Sequence, residues 1–189
     1  MSGQALVRGD AMPVEGRQGV NAAWLGEILQ AQRQGRTCLP LLLGLSQEEF
    51  DSRVGPLACT STALAPDREK DVLRQELLDL RRDEWSELRA LLLAGRAGND
   101  PDEAVMASVV SAACLGGDHL WRDLGLPSRL ELHALLTHNF PLLASRNLNN
   151  MRWKKFFYKQ LCEQDGGYVC RSPSCEQCPT YHDCFGEES

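Results

Sequence analysis

Residues 99–115 read NDPDEAVMASVVSAACL, and this stretch predicts the helix around which the chain folds. Asn99, Asp100 and Asp102 are residue types that cap a helix, and Pro101 is favoured in the first turn. The residues that follow are small or apolar on every side, which is typical of a helix buried at the centre of a core. We therefore predict a central helix that ends near Leu115.

Helical periodicity continues on both sides of this segment. Apolar residues recur at steps of three and four in three further stretches, which predicts amphipathic helices. These stretches are residues 21–34, residues 66–94 and residues 149–162. Glycine is the preferred residue just beyond a helix C-terminus, so we expect Gly35 and Gly95 to end the first two.

Two capping boxes predict two more helices. A capping box pairs Ser or Thr with Glu three residues later, and each side chain accepts the backbone N–H of the other residue. The boxes are Ser46 with Glu49, in a helix expected to stop at Gly55-Pro56, and Ser128 with Glu131, in a helix expected to run through His138. No stretch shows the alternation of a strand. The sequence therefore predicts an all-α fold, with a single helical domain of about six or seven helices.

Composition divides the chain into three parts. Residues 1–20 are rich in Gly, Gln and Arg and lack hydrophobic periodicity, which indicates a flexible N-terminal arm. Residues 21–163 contain the predicted helices and form the helical body. Residues 164–189 lose the helical periodicity and form a loop-rich, cysteine-rich tail, where we expect a cluster to bind.

The overall charge and the missing motifs exclude several classes of function. The chain has 20 Lys and Arg against 26 Asp and Glu, and the net charge of −6 argues against nucleic acid binding. No apolar run approaches the ~20 residues that cross a bilayer, and the N-terminus shows no export signal. We therefore expect a cytoplasmic protein with no membrane partner. Phosphate-binding loops, the HExxH motif and nucleophile elbows are absent, so we expect no conventional enzyme activity.

The cysteines indicate a metal site. Five of the eight fall within the last 28 residues, and a reducing cytoplasm disfavours structural disulfides. Four of them form a C-x4-C-x2-C-x5-C array, which consists of Cys170, Cys175, Cys178 and Cys184. The loops between them are short, so four thiolates can converge on one centre at little cost in chain entropy.

The spacing favours an iron–sulfur cluster and leaves alternatives open. The C-x4-C-x2-C run is close to the spacing of plant-type ferredoxins, and a proline directly follows Cys178, a step common beside iron–sulfur ligands. Structural zinc sites usually use two C-x2–4-C pairs with a longer spacer between them, whereas this array has one such pair. Zinc, and an array without metal, stay open as alternatives.

Other side chains are candidates for additional ligands. Cys162 lies shortly before the array, His119 follows a Gly-Gly turn, and His182 lies within the array as an alternative to Cys184. The competing interpretation for each is a buried thiol, or a histidine that satisfies a backbone carbonyl. We expect three scattered cysteines to be plain core residues: Cys38, Cys59 and Cys114.

The predicted helix over residues 149–162 is both aromatic and basic. We expect its apolar face to point inward, with Trp153, Phe156, Phe157 and Leu161. Its cations are expected on the solvated side: Arg152, Lys154, Lys155 and Lys159. Such cations would offset the negative charge of a nearby thiolate cluster or attract an oxyanion. They would also suit a nucleic acid, which the net charge of the chain disfavours.

Four blocks of the sequence together resemble the NifQ family of nitrogen-fixation proteins. They are residues 112–126 (AACLGGDHLWRDLGL), residues 141–147 (PLLASRN), residues 151–162 (MRWKKFFYKQLC), and the cysteine array followed by Phe185-Gly186. The resemblance covers about residues 104–186. The order and the length of the blocks make it more specific than a cysteine motif alone.

The resemblance implies a metal that the cysteine spacing does not reveal. NifQ proteins are implicated in supplying molybdenum for the iron–molybdenum cofactor (FeMo-co) of nitrogenase, and they are reported to carry a molybdenum–iron–sulfur cluster. By resemblance, the cluster ligands here are Cys170, Cys175, Cys178 and Cys184. The resemblance further implies molybdate or a molybdenum carrier as the source, and the NifH reductase and NifEN scaffold as partners. The alternatives are a small iron–sulfur electron-transfer protein and a zinc-stabilised protein-interaction module.

Overall fold

The fold consists of helices and their connections. The computed structural model describes residues 19–60, 68–164, 166 and 181–186. Its α-helices are α1 (Val20–Arg33), α2 (Gln47–Glu49), α3 (Arg68–Leu80), α4 (Arg82–Ala94), α5 (Glu103–Cys114), α6 (Leu120–Asp123), α7 (Arg129–Asn139), α8 (Pro141–Ala144), α9 (Trp153–Gln164) and α10 (Tyr181–Phe185). No strand occurs in these residues, which confirms the all-α prediction. No helix in the same residues is long and apolar enough to span a membrane. Most of the predicted arm, residues 1–18, lies outside the described residues.

Helix α5 lies at the centre of the core, as the sequence predicts. Eleven of its twelve residues are buried, and its small side chains allow α4 to pack closely against it. The hydroxyls of Ser108 and Ser111 donate to carbonyls one turn earlier, so burial leaves neither without a partner. The predicted cap is present at the start of the helix, where the Asp100 carboxylate accepts the Asp102 N–H at 2.8 Å. The carboxylate of Glu103 adds to it by accepting the N–H groups of residues 98–100 at 2.7–3.0 Å.

The single helix predicted over residues 66–94 is wrong, because the chain forms two helices there, α3 and α4. They meet at Arg81, whose backbone leaves the helical region (φ −114°, ψ 30°). The Arg81 guanidinium binds both carboxylate oxygens of Glu84 at 2.7 Å and donates to the carbonyl of Leu115 at 2.7 Å. The side chain at the break thus contacts the end of α5. The leucine periodicity does not indicate that the helix is interrupted here. Residues 66 and 67 lie outside the described residues.

The first capping box forms as predicted. The Ser46 hydroxyl accepts the Glu49 N–H at 3.2 Å, and the Glu49 carboxylate accepts the Ser46 N–H at 3.0 Å. The predicted stop at Gly55-Pro56 is wrong, because a π-helical turn (Phe50–Val54) leads into a 3₁₀ segment (Gly55–Thr60). Gly55 has helical dihedrals (φ −50°, ψ −45°), and proline is tolerated in a first turn, where its missing N–H is not needed.

The second capping box is only half formed. The Ser128 hydroxyl accepts the Glu131 N–H at 3.2 Å and starts α7. The Glu131 carboxylate instead accepts the indole N–H of Trp24 at 2.7 Å, and this hydrogen bond joins α7 to α1. A tertiary contact has therefore replaced the local one.

Helix α9 begins four residues later than predicted, at Trp153. The Asn147 side chain holds a turn before it, accepting the Met151 N–H at 2.8 Å and donating to the Met151 carbonyl at 2.9 Å. The predicted inward face is confirmed for Trp153, Phe156 and Phe157, which are all buried. The helix packs against α4, and the Tyr158 hydroxyl donates to Glu84.

Candidate metal centre

The cysteine array lies mostly beyond the described part of the chain. Cys170, Cys175 and Cys178 are outside the described residues, and nothing in the structure tests them as ligands. Cys184 is half-buried in the short helix α10. Within the described residues, no group of three or more His, Cys, Asp or Glu side chains converges on one point. The last cysteine of the array is therefore the one whose surroundings the structure shows.

Helix α10 docks at the N-terminal end of α9. The backbone N–H of Arg152 donates to the carbonyl of Cys184 at 2.7 Å. The Arg152 side chain reaches the same segment, because its Nε donates to the carbonyl of Gly186 at 3.3 Å. The rings of Tyr181 and Phe185 stack with centroids 4.7 Å apart, which links the two ends of α10. Arg152 thus joins the end of the array to the helical body.

Gly186 allows this close approach. Its N–H donates to the carbonyl of His182 at 2.9 Å and closes α10. A Cβ at this position would lie 2.5 Å from the His182 carbonyl oxygen and 2.9 Å from Nη2 of Arg152. Both distances are below van der Waals contact, so a larger residue would distort the end of α10 and displace the Arg152 side chain.

The loop that carries His119 is fixed against the same end of α9. The Lys154 ammonium forms an ion pair with Asp123 and donates to the Gly116 carbonyl at 2.9 Å. The Asp123 carboxylate also accepts the Asp118 N–H at 3.0 Å. The loop packs this tightly because residue 116 is glycine, where a Cβ would lie 2.5 Å from the Asp123 carboxyl carbon. His119 is thereby held beside Arg152 and Trp153, which line the same groove.

The three remaining candidate ligands occupy different places. Cys162 is half-buried near the C-terminal end of α9, about 15 Å along the helix from Arg152 at 1.5 Å per residue. His182 is exposed on α10, with its ring edge-on to Tyr181. His119 shares its groove with Arg152, to which the Cys184 carbonyl is bound. His119 therefore lies at the end of α9 where α10 docks, and Cys162 lies near the other end.

Two of the scattered cysteines are core residues, as predicted. Cys114 is 2% exposed and Cys38 is half-buried against α5, where its thiol contacts the Ala113 carbonyl at 3.7 Å. Burial raises the pKa of each thiol to about 12. Metals bind the thiolate, so thiols that stay protonated at neutral pH are poor ligands. The Cys59 side chain lies outside the described residues.

The four basic residues at and before α9 lie in different surroundings. Lys159 pairs with Glu163 one turn later at 3.7 Å, and the charge of Lys154 is offset by Asp123. Arg152 and Lys155 flank the first turn of α9, which contains no acidic residue. A helix N-terminus carries a partial positive charge and is usually accompanied by acidic side chains. Arg152 and Lys155 therefore place two basic residues at the end of α9 where α10 docks.

Sequence reasoning gave no role to several residues that build these surroundings. Asp123, Gly116 and Gly186 support the site through tertiary contacts and carry no motif of their own. The sequence signal for them is indirect. The double glycine at residues 116 and 117, before Asp118-His119, indicates that the backbone lies close to another part of the chain. The two glycines are not equivalent, because Gly116 is tightly packed, while a Cβ at Gly117 would have no neighbour within 4 Å.

Comparison with known proteins gives one consistent result. The sequence model of the NifQ family matches residues 24–186. The chain is 57% identical to Protein NifQ of Azotobacter vinelandii, with both chains covered completely. It is 37% identical to Protein NifQ of Klebsiella pneumoniae, over 86% of this chain and 96% of that protein. It is 34% identical to Protein NifQ of Rhodobacter capsulatus, over 86% of this chain and 93% of that protein. No solved structure gives a significant match.

Proposed function

The chain belongs to the NifQ family of nitrogen-fixation proteins, and we propose that it carries a molybdenum–iron–sulfur cluster and donates molybdenum for FeMo-co biosynthesis. The observation that supports the proposal is the docking of Cys184, the last cysteine of the array, at the end of α9 where the basic residues Arg152 and Lys155 lie. Cys184 is half-buried there, and basic residues nearby would suit a negatively charged cluster. The cluster is cargo in this proposal, and the protein is a carrier rather than an enzyme.

The ligands in this proposal are Cys170, Cys175, Cys178 and Cys184. Thiolates are soft ligands that suit iron–sulfur clusters, and a sulfide-rich cluster is a suitable host for molybdenum. Arg152 and Lys155 offset part of the negative charge that four thiolates and sulfide would gather at one place. Helices α1 to α9 would hold the partner-binding surfaces and take no part in the metal chemistry.

Release of the metal is the second requirement of a donor. The described end of the array is attached to α9 by hydrogen bonds that include those from the N–H and from the Nε of Arg152. A short helix at the surface opens at lower free-energy cost than a buried core helix. By resemblance to the family, the partners are the NifH reductase and the NifEN scaffold, and the source is molybdate or a molybdenum carrier.

The proposal is tested with Cys175→Ala and Cys178→Ala, assayed for cluster content and for molybdenum transfer to the scaffold protein. Both variants should lose the cluster and the transfer, while helical circular dichroism stays nearly unchanged. Cys38→Ala is the matched control, because its thiol is protonated and lies in the body, and it should retain both. Full molybdenum transfer by either array variant, or loss of the helical signal, would contradict the proposal.

His119 is the candidate for a non-cysteine ligand of molybdenum, because it lines the groove next to Arg152. His119→Ala should lower the molybdenum content of the loaded protein and leave its iron content unchanged. Full molybdenum content in this variant would exclude His119 as an essential ligand.

A further inference from the structure

Helix α3 presents a row of leucines on its outer side. Leu73, Leu77 and Leu80 are 56%, 52% and 82% exposed, whereas Asp71 and Leu78 are the buried residues of this helix. Positions i, i+4 and i+7 share one face of a helix, so the three leucines form a continuous row, which we call the α3 leucine row. Leucines exposed singly are ordinary, but a contiguous row of them is typical of an interaction surface.

An apolar groove adjoins this row. It lies between α3 and the end of α5, and its volume is about 400 Å³, within the roughly 300–1,000 Å³ of ordinary ligand pockets. Leu77 belongs to both the row and the groove. The other apolar side chains that line the groove include Pro40, Leu78, Ala112 and Leu115. A partner seated on the row can therefore place an apolar side chain in the groove beside Leu77.

Two glutamates lie beside the row. Glu69 precedes Leu73 by four residues and Glu76 precedes Leu80 by four, so both carboxylates lie next to the leucines on the helix surface. Both side chains are exposed, and neither has an ion-pair partner in the described part of the chain. One flank of the row therefore carries two negative charges.

The basic residues around the row do not offset these two carboxylates. Three of them form ion pairs with other acidic side chains: Arg74 with Asp71, Arg81 with Glu84, and Arg82 with Asp79. Lys70 has a partner as well. Arg68 lies five residues before Leu73, which places it on another side of the helix. Electrostatic complementarity therefore favours a partner with basic residues along the flank that faces Glu69 and Glu76.

No other segment of this chain fits that description. Outside the described residues, the sequence has no surplus of basic residues: residues 1–18 contain two basic and two acidic residues, residues 61–67 contain one acidic residue and no basic one, residues 165–180 contain one basic and two acidic residues, and residues 187–189 contain two acidic residues. The basic helix α9 buries Trp153, Phe156 and Phe157 in the core, so a second copy of the chain has no free apolar face on that helix to offer. The occupant is therefore a different protein.

We propose that the α3 leucine row and the groove beside it form a docking site for an amphipathic helix of a partner protein, with basic residues on one flank of that helix. Binding of a helix in a groove uses apolar anchors at i, i+3 or i+4, and i+7, which is the spacing of the three leucines. Lysine or arginine side chains of the partner pair with Glu69 and Glu76. The inference goes beyond the proposed function, because it concerns a surface of the helical body and needs no metal.

The test uses the metal-free full chain and two labelled synthetic peptides, with binding measured by fluorescence anisotropy. Both peptides are amphipathic helices with leucine along one face, and their flanks carry lysine in one and glutamate in the other. The chain should bind the lysine peptide and discriminate against the glutamate peptide. Leu77→Ser should weaken binding of the lysine peptide roughly tenfold, because burial of one leucine accounts for at least that factor in affinity. Leu148→Ser is the matched control, since Leu148 is 88% exposed and lies outside α3.

A charge reversal tests the flank separately from the leucines. Glu76→Lys should weaken binding of the lysine peptide and strengthen binding of the glutamate peptide, a reversal that loss of folding would not produce. Absence of saturable binding of the lysine peptide, an equal loss in the two serine variants, or unchanged peptide preference in Glu76→Lys would overturn the proposal. Sedimentation velocity of the chain alone covers the remaining occupant, because a dimer that Leu77→Ser dissociates would place a second copy on the row and also overturn it.

Discussion

The backbone N–H of Arg152 donates a 2.7 Å hydrogen bond to the carbonyl oxygen of Cys184. This bond joins the residue before the most aromatic helix of the body to the last cysteine of the array. It brings the basic and aromatic block at residues 151–162 into contact with the end of the cysteine array. The aromatic residues anchor α9 in the core, and the residue that precedes the helix holds the array.

Gly186→Ala should distort the end of α10 and weaken its contact with Arg152. The added Cβ would overlap the His182 carbonyl, and overpacking of this kind costs about 1–3 kcal/mol. Amide hydrogen exchange should become faster at Arg152 and Gly186, whose N–H groups form the hydrogen bonds of the docked state. Gly26→Ala is the control, because a Cβ there meets nothing within 4 Å. Unchanged exchange at Arg152 in the Gly186 variant would show that the docking does not depend on this glycine.

Gly116→Ala and Gly117→Ala form a matched pair for the loop before His119. A Cβ on Gly116 would press on the Asp123 carboxylate, so we expect a loss of about 1–3 kcal/mol in the free energy of unfolding. A Cβ on Gly117 would have no neighbour within 4 Å, so its effect should stay within about 0.5 kcal/mol. Urea denaturation of both variants measures the difference. Equal stabilities would mean that the loop is not packed against Asp123.

Lys154→Met should destabilise the body by removing the partner of a buried carboxylate. The Asp123 side chain is 8% exposed, and breaking such a pair from one side costs about 3–5 kcal/mol. Asp123→Asn combined with Lys154→Met should recover part of this loss, because no uncompensated charge remains. A double-mutant cycle from thermal or urea unfolding gives the coupling energy. Simple additivity of the two substitutions would contradict the ion pair.

Thiol labelling should separate the core cysteines from the array. Burial raises the pKa of Cys38 and Cys114 to about 12, so below that pH the reactive thiolate is a small fraction. In the native protein at pH 8, iodoacetamide should leave both unlabelled, and their labelling should increase as the pH rises towards 12. The array cysteines should react in the metal-free protein and become protected on loading with the cluster. Labelling of Cys38 at the rate of the array cysteines would contradict its burial.

The sequence predicted the parts of the fold that depend on local patterns. Helix α5 was predicted correctly because its residues are apolar on every side, and the Ser46–Glu49 box because both of its hydrogen bonds are local. The break at Arg81 was missed because leucines recur at helical spacing on both sides of it. At the break, Arg81 donates a hydrogen bond to the carbonyl of Leu115, 34 residues later in the chain, and no local pattern indicates such a contact.

The surroundings of the candidate site were only partly predictable for the same reason. The sequence identified Cys184, His119 and the cations of α9 by residue type. It could not show that Asp123 offsets one of those cations, or that Arg152 holds the Cys184 carbonyl, because both facts depend on tertiary packing. The roles of Cys170, Cys175 and Cys178 remain predictions from spacing and family resemblance.

The most direct test of the central claim is metal analysis of the chain after anaerobic reconstitution with iron, sulfide and molybdate. Iron, molybdenum and zinc are counted per chain, and the visible spectrum is recorded on the same sample. We predict a brown protein that retains both iron and molybdenum after desalting. A colourless protein that binds zinc alone, or a brown protein that retains iron without molybdenum, would contradict the claim that this chain carries molybdenum in a cysteine-bound cluster.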